Sequence, residues 1–152
     1  MKSLITLVAV VVFCGLTARA ENEAGFVLGT ASGFSGMFDL RQNRAVDVGL
    51  AFNSDSSTYL YGDYLFNNAR SFDLKGSATP MTLYYGLGAR LMTIKGGKND
   101  SKSSVGIRAP IGLHYKIVNP DISLFGEIAP VLNLTPEGGV DITAGVGVRI
   151  RF

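Results

Sequence analysis

The chain has 152 residues, with 14 Lys and Arg against 12 Asp and Glu, one His, one Cys and no Trp. That balance offers no basic surface for nucleic acid, and the length is that of one domain. Nineteen glycines work against long helices and favour short strands with turns between them.

The first twenty residues set an expectation about compartment. Lys2 supplies a short positive region, residues 4–16 form an apolar run, and Ala18-Arg19-Ala20 matches a small-residue cleavage site. Residues 1–20 therefore read as a secretory signal peptide, cut after Ala20. A run of this length is too short to span a bilayer as a helix. Val11-Val12-Phe13 lacks the small residues expected before a lipidated cysteine, so Cys14 belongs to the signal rather than to an anchor. Cleavage removes Lys2 and Arg19, leaving 12 basic and 12 acidic residues and no cysteine in residues 21–152.

Period-two alternation then repeats along the chain. Residues 25–29 read as a first strand with Phe26 and Leu28 apolar, and residues 34–40 as a second with Phe34, Phe38 and Leu40. Val46, Val48, Leu50 and Phe52 share the apolar face of a third, with Asp47 and Gly49 opposite. Leu60, Gly62, Tyr64 and Phe66 follow in a fourth, with Tyr59, Tyr61 and Asp63 opposite. Leu83, Tyr85, Leu87, Ala89 and Leu91 alternate with Tyr84, Gly86, Gly88 and Arg90 in a fifth. Val105, Ile107, Ala109, Ile111, Leu113 and Tyr115 alternate with Arg108, Pro110, Gly112 and His114 in a sixth. Ile122 to Leu132 gives a seventh, with Phe125 and Glu127 on the polar side. Val140, Ile142, Ala144, Val146, Val148, Ile150 and Phe152 close the chain, opposite Asp141, Thr143, Gly145, Gly147, Arg149 and Arg151.

Turn-forming residues separate the runs at 41–44, 53–57, 95–103, 118–121 and 135–139. The expected fold is all-β: an eight-stranded antiparallel up-and-down transmembrane β-barrel with a filled polar interior. An even count puts both ends of such a barrel on one side of the membrane. The polar face is mostly Gly, Ala, Ser and Thr, which suits a cramped lumen. The apolar face is aliphatic, with Tyr64, Phe66, Tyr115 and Phe152 near strand ends, which suits a lipid-facing band between aromatic girdles. With the faces inverted, the chain would be a soluble lipocalin-like binder of a small ligand. Pro110 and Pro130 each remove a ladder donor, yet parity is the same on both sides, so neither requires a bulge.

The interior charges form a set: Asp39, Asp47, Asp63, Glu127 and Asp141 against Arg90, Arg108, Arg149 and Arg151. Charges in a narrow lumen persist when paired and hydrogen-bonded, so the expectation is an ion-pair network that plugs the barrel. The alternative is a line of sites for a narrow ion channel. His114 falls inside by parity, with no second histidine and no cysteine to share a metal, and no credible exterior Ser as a nucleophile. No cofactor and no enzymatic activity are expected. The outside turns would be near 30–33, 54–57, 95–103 and 135–139, all short, while the longest connection, 67–79, falls on the opposite side. Lys95, Lys98 and Lys102 could meet lipopolysaccharide phosphates, or simply form a solvated turn.

The runs LYGDYLF (60–66), LYYGLGARL (83–91), GIRAPIGLHY (106–115), LFGEIAPVLNLTP (124–136) and GVGVRIRF (145–152) carry a family resemblance. The chain resembles small bacterial outer-membrane barrels of unknown function, themselves similar to the transmembrane domain of OmpA and OmpX. That resemblance implies an outer-membrane location, a monomer among outer-membrane lipids, and biogenesis through periplasmic chaperones and the barrel-assembly machinery. It places Gly147, Ile150 and Phe152 where such proteins carry the C-terminal assembly signal. It supplies no activity, so the implied role is structural, in envelope integrity. The alternatives are a surface-binding module for lipopolysaccharide or adhesion, or the narrow channel. Outer-membrane lipid A deacylases read His-x-Ser-Asn, whereas this chain has His114-Tyr115-Lys116-Ile117.

Overall fold

The alternating runs become strands joined by hairpins. The computed structural model describes residues 22–40, 42–53, 57–72, 81–95, 101–135 and 138–152. Its strands are β1 (Asn22–Gly29), β2 (Ser32–Leu40), β3 (Arg44–Phe52), β4 (Thr58–Phe72), β5 (Met81–Lys95), β6 (Ser101–Arg108), β7 (Ile111–Ile117), β8 (Ile122–Thr135) and β9 (Gly139–Arg151). Residues 1–20, expected to be a signal peptide, lie outside the described residues.

Every pairing is antiparallel, and the last strand closes on the first, with Ala24 opposite Ile150 and Phe26 opposite Val148. β6 and β7 are two halves of one staff of the ring, both laid between β5 and β8, so the closed barrel has eight staves. The rungs from Ile150 run through Ala24, Gly36, Val48, Gly62, Ala89, Ile107 and Leu132. They return to β9 at Val140, ten residues from the start. With ordinary strand spacings, that stagger tilts the strands by roughly 40° from the barrel axis.

The break between β6 and β7 has a chemical cause. Gly86 N–H donates to Pro110 O at 2.9 Å and Ala109 N–H to Pro130 O at 3.0 Å. Each proline lacks the N–H that would return the bond, so two adjacent rungs are singly bonded. The register is unchanged across the break: Arg108 faces Val131 and Ile111 faces Ile128. Neither proline sits in a bulge, as their common parity implies. The irregularity of this staff lies instead between Val105 and Gly106, opposite Thr135 and Asn133.

Several strand limits differ from the sequence reading. Residues 21–40 do hold two strands, turned at Thr30 and Ala31, but β1 starts at Asn22 and brings Glu23 into the ring. β4 continues to Phe72 and β5 starts at Met81, so residues 67–72 of the supposed 67–79 connection belong to a strand at the end that carries the termini. β3 starts at Arg44, which adds a charge to the outward face. Between β2 and β3 the turn holds Gln42 and Asn43 at φ 68° and 59°, the left-handed region that tight hairpins use.

The faces divide as parity requires. Phe26, Phe34, Leu60, Leu87, Ile128, Val146 and Ile150 are exposed on the outside, while Met37, Ala45, Leu65, Tyr84 and Val131 are buried within. Charged Asp47, Asp63, Arg90, Arg108 and Arg149 share that interior. An apolar ligand cavity of the lipocalin kind would need the reverse.

Candidate functional site: a charged, filled lumen

Inward glycines and aromatic rings build the walls on which the charges rest. Tyr61 lies directly across from Gly49, Tyr84 from Gly112, and Phe125 from Gly147. In each case a Cβ on the glycine would collide with the partner's ring, so the ring lies flat on bare backbone. Two of these rings carry an arginine on their other face. Arg108 sits 4.4 Å from the Tyr61 centroid and Arg149 3.8 Å from that of Phe125; Arg90 likewise stands 5.2 Å from Tyr59.

Each arginine then meets carboxylates. Arg149 reaches Asp47 at 3.0 and 3.1 Å, and Ser35 Oγ, which it also contacts, donates to Asp47 at 3.3 Å. Arg108 Nε donates to Asp63 at 2.7 Å, and its other nitrogens reach Thr143 at 3.2 Å and Glu127. Tyr84 O–H donates to the second oxygen of Glu127 at 3.0 Å. Arg90 reaches Asp141 at 3.0 Å and also Asn133, whose amide donates to the same Asp141 oxygen at 2.8 Å. Arg149 and Asp47 have side chains only 1 % exposed, so this pair is held wholly out of water. Breaking such a pair leaves an uncompensated buried charge, which is far costlier than the pair's net contribution.

Of the nine residues singled out from the sequence, Asp141 has a half-exposed side chain and Arg151 takes a different place. Arg151 pairs with exposed Asp121 at 2.8 Å and donates to Ile117 O, so it closes the rim between β7 and β9 rather than the lumen. Asp39 meets Lys116 at 3.4 Å. Glu23, which the reading missed, is buried and receives His114 Nε2 at 3.1 Å and Ser123 Oγ at 2.8 Å. The signal for it was parity counted back from Phe26, obscured by the late start assigned to β1.

Little space remains inside. Around Tyr59, Tyr61, Arg108 and Glu127 the cavity measures about 40 Å³, room for a few waters. A wider recess of about 280 Å³ opens at the end carrying the termini, lined by Asp39, Asn67, Thr82, His114 and Lys116. Among the described residues no group of three His, Cys, Asp or Glu is placed to hold a metal ion. Gly147 faces inward as the floor for Phe125, whereas Ile150 and Phe152 are exposed on the outer face. Lys98 lies outside the described residues, and of Lys95 and Lys102 only the paired backbone is described.

A closed antiparallel ring with an apolar exterior and an ion-paired interior is the architecture of a transmembrane β-barrel. More particularly, the fold is that of the small outer-membrane barrels of the OmpA and OmpX type. The N-terminal β-barrel domain of Pseudomonas aeruginosa OprF matches with a TM-score of 0.59 at 17 % identity, over 88 % of this chain and 96 % of that one. Neisserial surface protein A aligns over 88 % of this chain and 96 % of its own at 16 % identity, with a TM-score of 0.49. The chain matches no protein-family model and no curated protein sequence. At 17 % identity the likeness to the OprF domain concerns the fold alone.

Proposed function

We propose that the chain is an outer-membrane β-barrel whose role is structural, contributing to envelope integrity, and whose lumen is closed by its ion pairs. The supporting observation is the reversal of polarity: aliphatic side chains such as Ile128 are 54 % exposed outside while Arg149 and Asp47 are buried inside. In water that arrangement would expose apolar surface far beyond a normal patch and bury charge without need. In lipid both features become favourable. A conducting role is opposed by the small size of the space around Arg108 and Glu127, about 40 Å³.

The reading includes export through residues 1–20, assembly signalled by the outward Ile150 and Phe152, and a monomer in the membrane. Both chain ends then face the periplasm, together with the recess beside His114. The test is gel migration of the protein from isolated outer membranes, unboiled against boiled in detergent. A shift on heating supports the membrane barrel. Recovery of the protein only from the soluble periplasm would overturn it.

A further inference from the structure

The outer face carries one charge among the described strand side chains, Arg44 at the start of β3. Arg44 Nη1 donates to Tyr64 O–H at 3.3 Å on the neighbouring strand. Phe66 is the direct cross-strand partner of Arg44, packs edge-on to Tyr64 at 5.3 Å and stacks on Tyr85 at 5.7 Å. A guanidinium carries five N–H donors, and the Tyr64 contact engages one of them. This places a cation in an aromatic girdle at the end of the barrel that holds the termini.

Two rungs further along the same strands the surface sinks. Gly62 faces outward, and a Cβ there would meet nothing within 4 Å. Its rung partners are Val48 and Ala89, and its neighbours along β4 are the exposed Leu60 and Tyr64. The depression lies roughly 13 Å along the strand from Arg44, a span that an ester-linked acyl chain covers from its phosphate.

We propose that the β3–β5 face is a fixed binding site for one glycerophospholipid, its phosphodiester held by Arg44 beside Tyr64 and an acyl chain laid in the depression at Gly62. The guanidinium fork matches a phosphate bidentately, which an ammonium does not. The apolar side chains leading away from it along β3, Val46 and Val48, select a lipid over a free anion. Charge and groove lie on the same two strands, so a single molecule engages both. The site rests on the membrane-barrel reading above.

The test uses purified full-length protein in mild detergent with phosphatidylglycerol, read by native mass spectrometry as the fraction retaining lipid. Each variant is first checked for the gel shift on heating; a wild type without that shift would defeat the membrane reading rather than this one. Arg44→Gln and Gly62→Leu are each expected to lower retention about fivefold, the scale of one basic contact at an anionic lipid surface. Arg44→Lys falls between, and Gly126→Leu, on the outer face of β8, retains lipid as wild type does. Equal loss in Gly126→Leu, or no loss in Arg44→Gln, would overturn the site. So would protection by inorganic phosphate alone against thermal unfolding, since that would show an anion site without lipid.

Discussion

The guanidinium of Arg149 lies 3.8 Å above the ring of Phe125, and that ring lies on the bare backbone of Gly147. The three residues belong to adjacent staves, β8 and β9, and the stack continues through Arg149 to Asp47 on the opposite wall. One glycine thereby sets the position of a ring, a cation and a carboxylate. Gly147→Val would push Phe125 into the space of Arg149 and is expected to destabilise the barrel by about 1–3 kcal/mol. Urea unfolding of protein refolded into lipid vesicles measures it, and an unchanged midpoint would refute the stacking account.

Removing the cation should cost more than crowding it. Arg149→Met leaves Asp47 buried without its partner and is expected to lose about 3–5 kcal/mol. Adding Asp47→Asn removes the stranded charge, so the double variant should be more stable than Arg149→Met alone. A double variant whose loss equals the sum of the two single losses would show that the pair is uncoupled.

The exterior gives a test that separates lipid from water. Ile128→Arg on the outer face of β8 should cost about 2–4 kcal/mol if that face meets hydrocarbon near the midplane. In a soluble protein the same change at an exposed position stays within about 0.5 kcal/mol. Vesicle unfolding distinguishes these values directly.

Pro130 is outward-facing and leaves Ala109 O without the return bond of its rung. Pro130→Val restores an N–H there and keeps an apolar side chain toward the outside. It is expected to stabilise the barrel by about 0.5–1.5 kcal/mol, and hydrogen exchange at Ala109 should slow. Faster exchange would mean that the proline supports this staff in another way.

Conductance should be absent in planar bilayers, because side chains fill the lumen and the space beside Arg108 and Glu127 is only about 40 Å³. Glu127→Gln weakens the hold on Arg108 without enlarging the barrel, so discrete opening in the wild type, altered by this variant, would establish the channel alternative.

The sequence alone determined the faces. Period-two alternation assigns every side chain to inside or outside once a strand is recognised, and that placed Asp47, Asp63, Arg90, Arg108, Glu127 and Arg149 in the lumen, along with His114. Parity also implied that the prolines cause no register shift. What it could not supply was who meets whom. Partners depend on the ten-residue stagger with which the sheet closes, since that stagger decides which residues of distant strands share a level. Asp47 and Arg149 are 102 residues apart, and only closure brings them together. The same closure matched Asp39 with Lys116 and gave buried Glu23 the chain's one histidine, whereas Arg151 meets Asp121 across the neighbouring β8–β9 hairpin. The outward Arg44 was hidden for another reason: turn chemistry at 41–44 concealed that pairing with β4 extends the strand past the local signal.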